Sequence, residues 1–171
     1  MGDIVTAPST SDVAVRFELR PGDIGYITWL HGILYAKEQG WNHTFEAYVA
    51  GPLAEFAKMQ SARQRIWIAE LDGKIVGTVA VVDAGENRAQ LRWLLVDPCA
   101  RGVGLGRRLV KESIQFATES GYRSIFLWTV SDLHAAGALY RSCGFAKTLK
   151  QPRVIWGKMV TEERYDLALL S

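Results

Sequence analysis

The chain has 171 residues, 49% of them apolar, which is enough for one sizeable core and too many for an intrinsically disordered protein. Its 20 Lys and Arg against 18 Asp and Glu leave a formal charge of +2, so nothing in the net charge calls for DNA or RNA as the main partner. Two cysteines, Cys99 and Cys143, cannot build a disulfide framework, and no apolar run approaches the ~18–20 residues of a membrane helix. The N-terminus has no basic stretch followed by an apolar one, so the expectation is a cytoplasmic protein with no membrane partner. Met1-Gly2-Asp3-Ile4-Val5-Thr6 fits a myristoylation pattern, but no polybasic second signal accompanies it. Asn42-His43-Thr44 is a glycosylation triplet that matters only in a secreted protein.

Residues 1–12, rich in Ser, Thr and Asp, read as a flexible leader, and residues 13–171 as a single domain. Val13 to Leu19 alternates apolar and polar, the period of a half-buried strand. Asp23 stands as the N-cap of a helix running to about Gln39, with Gly40 as its stop. Thr44 is placed to cap a second helix through about Lys58. Ile66–Ala69 and Ile75–Val82 flank Asp72-Gly73, a tight hairpin signal, and a third strand covers Ala89 to Val96. The glycine-rich turn Arg101–Gly106 opens a long helix with Leu109, Val110, Ile114 and Ala117 on its buried stripe. Ile125 to Val130 is nearly all apolar, as in a strand covered on both faces. Asp132 is expected to cap a helix to Cys143, and two last strands fit near Phe145–Leu149 and Tyr165–Leu169. This order predicts an α/β fold of the α+β kind, a mixed sheet with helices on both faces.

The segment Arg101-Gly102-Val103-Gly104-Leu105-Gly106-Arg107-Arg108 carries the chemistry. Glycines let successive backbone N–H groups converge, and the helix that follows adds partial positive charge, so the turn suits a diphosphate or similar anion. A P-loop would need Gly-Lys-Ser/Thr after the turn, where this chain has Arg107-Arg108. A dinucleotide fingerprint would need a third glycine at Arg107, and an acidic residue on the next strand, which Ile125–Val130 lacks. ATP and NAD both fit poorly. His31, His43 and His134 show no metal-ligand spacing, so no metal is expected.

Arg101-x-x-Gly104-x-Gly106, preceded by Leu94-Leu95-Val96-Asp97-Pro98, resembles the acetyl-CoA-binding segment of the GNAT N-acetyltransferases. Ala136-x-x-x-Tyr140-x-x-x-Gly144-Phe145 resembles that family's next helix, and the likeness spans roughly residues 13–170. The stretch from Gly22-Asp23-Ile24-Gly25 through Tyr35, Gly40-Trp41 and Phe45-Glu46-Ala47 is similar to acetyltransferase domains fused behind MarR-type DNA-binding domains, here read as the free-standing version. The resemblance implies the acyl-CoA N-acyltransferase fold, a mostly antiparallel twisted sheet, with acetyl-CoA as co-substrate. It implies that Leu94, Leu95 and Val96 meet the pantetheine arm and that Arg101, Gly102, Val103, Gly104, Leu105, Gly106 and Arg107 hold the pyrophosphate. Thr129 joins these as a cofactor contact, and a backbone N–H near Leu95 or Val96 would stabilise the oxyanion.

By the same resemblance Tyr140 is the catalytic acid that protonates the departing thiolate, which suits a phenol with pKa ~10. Gln90 stands where some relatives have a glutamate base, and an amide cannot take that role; Glu38 and Glu46 are the remaining carboxylates, more simply read as solvated. Leu133 replaces the asparagine that many relatives carry before the tyrosine motif. Cys99 lies in the turn without an activating partner and reads as structural. Trp29, Tyr35 and Trp41 lie where relatives shape the acceptor site. The function expected is acetyl transfer in a ternary complex to a primary amine, a small molecule or amino acid, by a homodimer. A protein N-terminus or lysine is a second acceptor class, and a non-catalytic acetyl-CoA sensor is the alternative.

Overall fold

The computed structural model describes residues 9–170. Most of the expected leader, with its Met1–Thr6 motif, lies outside the described residues. Within the part that is described, Ser9 caps a short 3₁₀ turn over Thr10–Asp12 where a loose segment is expected.

Seven strands and four α-helices follow in chain order: β1 (Ala14–Arg16), α1 (Asp23–Gln39), α2 (His43–Lys58), β2 (Arg65–Leu71), β3 (Lys74–Asp83), β4 (Arg88–Val96), α3 (Leu105–Glu119), β5 (Ser124–Val130), α4 (His134–Ser142), β6 (Ala146–Ile155) and β7 (Lys158–Ala168). The strands form one sheet in the order β1-β2-β3-β4-β5-β7-β6, antiparallel throughout except where β4 meets β5. β3 is apolar over nearly its whole length because it is covered twice. Val76, Val79 and Val81 face the core under α3, while Ile75 and Ala80 face the core under α1 and α2. Leu105, Leu109, Val110 and Ala117 of α3 seal the first side; Ile27, Phe45, Val49 and Leu53 seal the second. Asp72 and Gly73 both have positive φ, the primed turn that the Asp-Gly signal predicts. Among the described residues no helix is long and apolar enough to cross a membrane.

Several caps differ from expectation. Asn42, not Thr44, caps α2, its side chain accepting from the Thr44 N–H at 3.0 Å, and Leu133 precedes α4 without any side-chain cap from Asp132. β1 covers only Ala14–Arg16, whereas β6 and β7 run well beyond the short strands expected, as a long hairpin. Asp23 sits inside the first turn of α1 and its carboxylate is drawn elsewhere. It accepts a bidentate pair from Arg16 (2.6 and 2.9 Å) and the Arg20 N–H (2.7 Å), while Arg16 Nε donates to Glu70 at 2.8 Å. Burial pushes the Asp23 carboxyl up, but the Arg16 and Arg20 bonds outweigh it and hold the group below its usual value. The stability this contributes is therefore complete above the ordinary value of 3.8 and is lost as pH falls below it. Asp23→Asn is expected to cost about 2 kcal/mol at neutral pH, because Arg16 loses its bidentate charged partner and keeps Glu70 alone. Urea denaturation at pH 7 and pH 3 checks this, with the difference between variant and parent shrinking at the lower pH.

Candidate active site

β4 and β5 run parallel but pair only at Arg88–Ser124, Ala89–Ile125 and Gln90–Phe126. Beyond Gln90 the two strands part, leaving a wedge between Leu91–Val96 and Leu127–Val130. A bulge lies in β4 at the mouth of this wedge. Ala80 of β3 faces Arg92 and Thr78 faces Leu95, so Val79 alone stands against Trp93 and Leu94. Trp93 takes a φ of +53°, an unfavourable conformation for a bulky residue. It is held there by the Thr78 hydroxyl donating to the Trp93 carbonyl at 2.7 Å and by its buried ring packing on Phe56.

The glycine turn closes one end of the wedge. Asp97 caps a 3₁₀ turn over Pro98–Ala100 through the Cys99 N–H, and Gly102 and Gly104 follow with φ near +80°. Gly104 is the N-cap of α3, so the first N–H groups of that helix point out of the turn unpaired. A groove of about 640 Å³ runs from here along β4 towards α1 and α4. Leu94, Leu95, Val96, Arg101, Gly102, Gly104, Leu105, Gly106 and Arg107 all line it. Val103 does not line the groove, because its side chain packs against the core. Arg101 bridges the groove mouth, with Nε donating to the Val96 carbonyl (3.0 Å) and Nη1 pairing with Glu38 (2.8 Å). Arg108 is tied to Glu112 one turn on, whereas Arg107 is exposed and makes no ion pair among the described residues. The Cys99 thiol is raised by its hydrogen bond to Asp97 and then by burial, which keeps it protonated and a poor nucleophile.

A smaller chamber of about 130 Å³ lies on the far side of the wedge. Tyr35, Leu94, Leu133 and Ala136 line both spaces, so groove and chamber meet at those four side chains. Thr129, expected at the cofactor, lines the chamber instead of the groove. Tyr140, only 6% exposed, lines the chamber with its ring against Phe145 and Tyr165. Its hydroxyl makes no hydrogen bond with any described residue. Burial, then the neighbouring phenols Tyr35 and Tyr165, raise its pKa above the usual range for a tyrosine. Tyr35 is pushed up to about 12 by burial and by Glu38.

Tyr35 and Trp41 stack at 4.9 Å and form one chamber wall, but Trp29 does not join them. Trp29 is 51% exposed on the outer side of α1, against Tyr26, because the buried stripe of that helix runs through Ile27, Leu30, His31 and Leu34. A further aromatic of the lining is Trp156, at the tip of the β6–β7 hairpin, packed on Trp41 (4.5 Å) and Phe45 (5.0 Å). Its carbonyl accepts the Asn42 N–H at 3.0 Å, which docks the hairpin tip on the α1–α2 connection. His31 also lines the chamber. Its Nδ1 donates to the Ile27 carbonyl at 2.8 Å, Nε2 has no partner, and burial lowers its pKa to about 4, so it is neutral at pH 7. Gln90, Arg92 and Glu162 complete the polar lining. Glu38 belongs to the groove, and Glu46 packs against Gly32 where α1 and α2 approach most closely.

The sequence profile of the Acetyltransferase (GNAT) family matches residues 29–145. The chain belongs to the GNAT acetyltransferase family. Human N-acetyltransferase 8 is 36% identical over 141 residues, which are 78% of this chain and 62% of that relative's length. A Salmonella typhimurium protein solved with its cofactor acetyl-CoA superposes with a TM-score of 0.75 at 22% identity, over 93% of this chain and 95% of that one. A Bacillus anthracis protein solved in complex with acetyl coenzyme A is 27% identical, with a TM-score of 0.58 over 66% of this chain and 67% of that one. The seven-stranded mixed sheet with four helices is thus the GNAT fold. Among the described residues no group of three or more His, Cys, Asp or Glu side chains converges as a metal site would require.

Proposed function

We propose that this GNAT member is an acetyl-CoA-dependent N-acetyltransferase acting on a small primary amine. The observation that carries the reading is the continuity of the two spaces. An anion-binding glycine turn leads along an unpaired strand edge into a small aromatic chamber that holds an unbonded tyrosine hydroxyl.

Acetyl-CoA supplies an activated thioester. Gly102, Gly104 and the N-terminal amides of α3 suit its pyrophosphate, with Arg107 adding charge. Over Leu94–Val96 β4 has no β5 partner, and the backbone groups left free there, the Val96 carbonyl being taken by Arg101, suit the amide-bearing pantetheine arm; an N–H among them would stabilise the oxyanion. Tyr140 holds its proton at neutral pH and donates it towards the departing sulfur. Gln90 lines the chamber and cannot act as base, and desolvation in the chamber disfavours the charged ammonium form, so the nucleophile enters already deprotonated. A chamber of about 130 Å³ has room for on the order of ten water-sized positions, the scale of a small amine or amino acid. In this reading the protein is a cytoplasmic homodimer, supported by the family resemblance and by two unpaired cysteines. The likeness of residues 22–47 to MarR-fused acetyltransferase domains rests on those residues alone.

The test is thiol release from acetyl-CoA across a panel of amines and amino acids. Release with at least one class supports the reading. Acetyl-CoA binding without release from any member would favour a non-catalytic sensor.

A further inference from the structure

Among the described residues Arg92 is the one arginine that lines the chamber. Arginines elsewhere on β4, β6 and β7 are paired with carboxylates: Arg88 with Glu86 (2.9 Å), Arg153 with Glu162 (3.3 Å) and Arg164 with Asp166 (2.7 Å). Arg92 lines the chamber and has neither an ion pair nor a hydrogen bond among the described residues.

Its position is built by the bulge in β4. Two residues against one on β3 bring Arg92 next to Trp93, with the guanidinium carbon 5.0 Å from the Trp93 ring and 5.5 Å from that of Tyr48. Aromatic faces hold a guanidinium by its flat side, which leaves the N–H edge open for a planar anion. The chamber's own carboxylate, Glu162, bonds to Gln151 (3.0 Å) and Arg153 and not to Arg92. A half-buried guanidinium without an anion has given up hydration and received no charged partner in return. A bidentate carboxylate supplies what is missing.

We infer that Arg92 binds a carboxylate of the acceptor, so that the amine acetylated is an amino acid. Amine and carboxylate must be close together to share so small a chamber, which points to an α-amino acid. This rests on the acetyltransferase reading for the site and names the acceptor class within it.

The probes are the proteinogenic L-amino acids, each with its carboxamide and its decarboxylated amine. They are compared by thiol release with acetyl-CoA and, without it, by ligand-observed NMR binding. The expected result is that the accepted amino acid exceeds its two carboxylate-free counterparts in kcat/KM by roughly 10- to 100-fold, the scale of a charge-assisted hydrogen-bonded pair. Arg92→Met, which keeps the stem, removes that preference, and Arg92→Lys restores part of it. Both variants are checked for an unchanged melting temperature. Carboxylate-free amines accepted as well as the amino acids would overturn the inference while supporting acetyl transfer. Amino acids bound in an Arg92-dependent way without thiol release would support it and contradict acetyl transfer. Neither binding nor turnover of any amino acid would overturn it.

Discussion

Tyr140→Phe is expected to lower kcat about 100-fold, the usual size of a lost general acid, while leaving acetyl-CoA affinity little changed. The ring is what the fold uses: it packs edge-on against Phe145 at 6.0 Å and against Tyr165 at 5.8 Å, and phenylalanine keeps both contacts. The hydroxyl bonds to no described residue, so removing it orphans no partner and costs little stability. Its pKa lies above the ordinary tyrosine value through burial, so the protonated form that donates is present at all lower pH values. The rate of the parent enzyme therefore shows no alkaline fall from this group between about pH 7 and 9. Rapid-quench turnover and calorimetric affinity, measured side by side, check the prediction. Equal losses in both would make Tyr140 a cofactor contact and not the acid.

The second large effect is expected at the turn. Gly104→Val should weaken acetyl-CoA binding by roughly 100-fold or more, since several charge-assisted amide contacts to the pyrophosphate depend on close backbone approach there. Gly104 has φ +83°, and a side chain at that angle strains the backbone by about 1–2 kcal/mol. No protein atom lies within 4 Å of where its Cβ would be, so the added side chain enters the open groove proposed for acetyl-CoA. Strain and obstruction can be separated. Gly85, in the β3–β4 turn, has φ +77° and the same open surroundings but does not line the groove. Gly85→Val should therefore share the loss of stability and keep the affinity. A matching loss of affinity in the two variants would assign the effect to the fold.

The parts of this site built from continuous segments were legible in the sequence. Leu94–Val96, the glycine turn and the opening of α3 form one stretch of chain, and strand-turn-helix punctuation by Asp97-Pro98 and the glycines announces it. What escaped depends on contacts remote in sequence. Trp156 occupies a turn position with φ +54° that short-range rules give to Asn, Asp or Gly, and packing on Trp41 and Phe45 with the Asn42 N–H on its carbonyl keeps it there. Gly157 beside it is the one local mark of the turn, without a companion of the usual type. The bulge at Trp93 was equally hidden, because Arg88–Val96 alternates as any strand does and the extra residue shows only in its pairing with β3. Nothing in the local pattern sets Arg92 apart from the other polar residues of the strand. Asp23 carries the standard cap residue type, yet Arg16, brought over from β1, claims its carboxylate. Trp29 failed to reach the chamber for a related reason: α1 is apolar on more than one face, so composition could not say which aromatics turn inward.

Binding of acetyl-CoA by the groove and turn is read out by calorimetric titration of the folded chain with acetyl-CoA. Saturable binding of one molecule per chain is expected, weakened in Gly104→Val and retained in Gly85→Val. Absence of saturable binding to a chain that unfolds cooperatively would contradict it, and the assignment of the wedge between β4 and β5 as a site for acetyl transfer would fall with it.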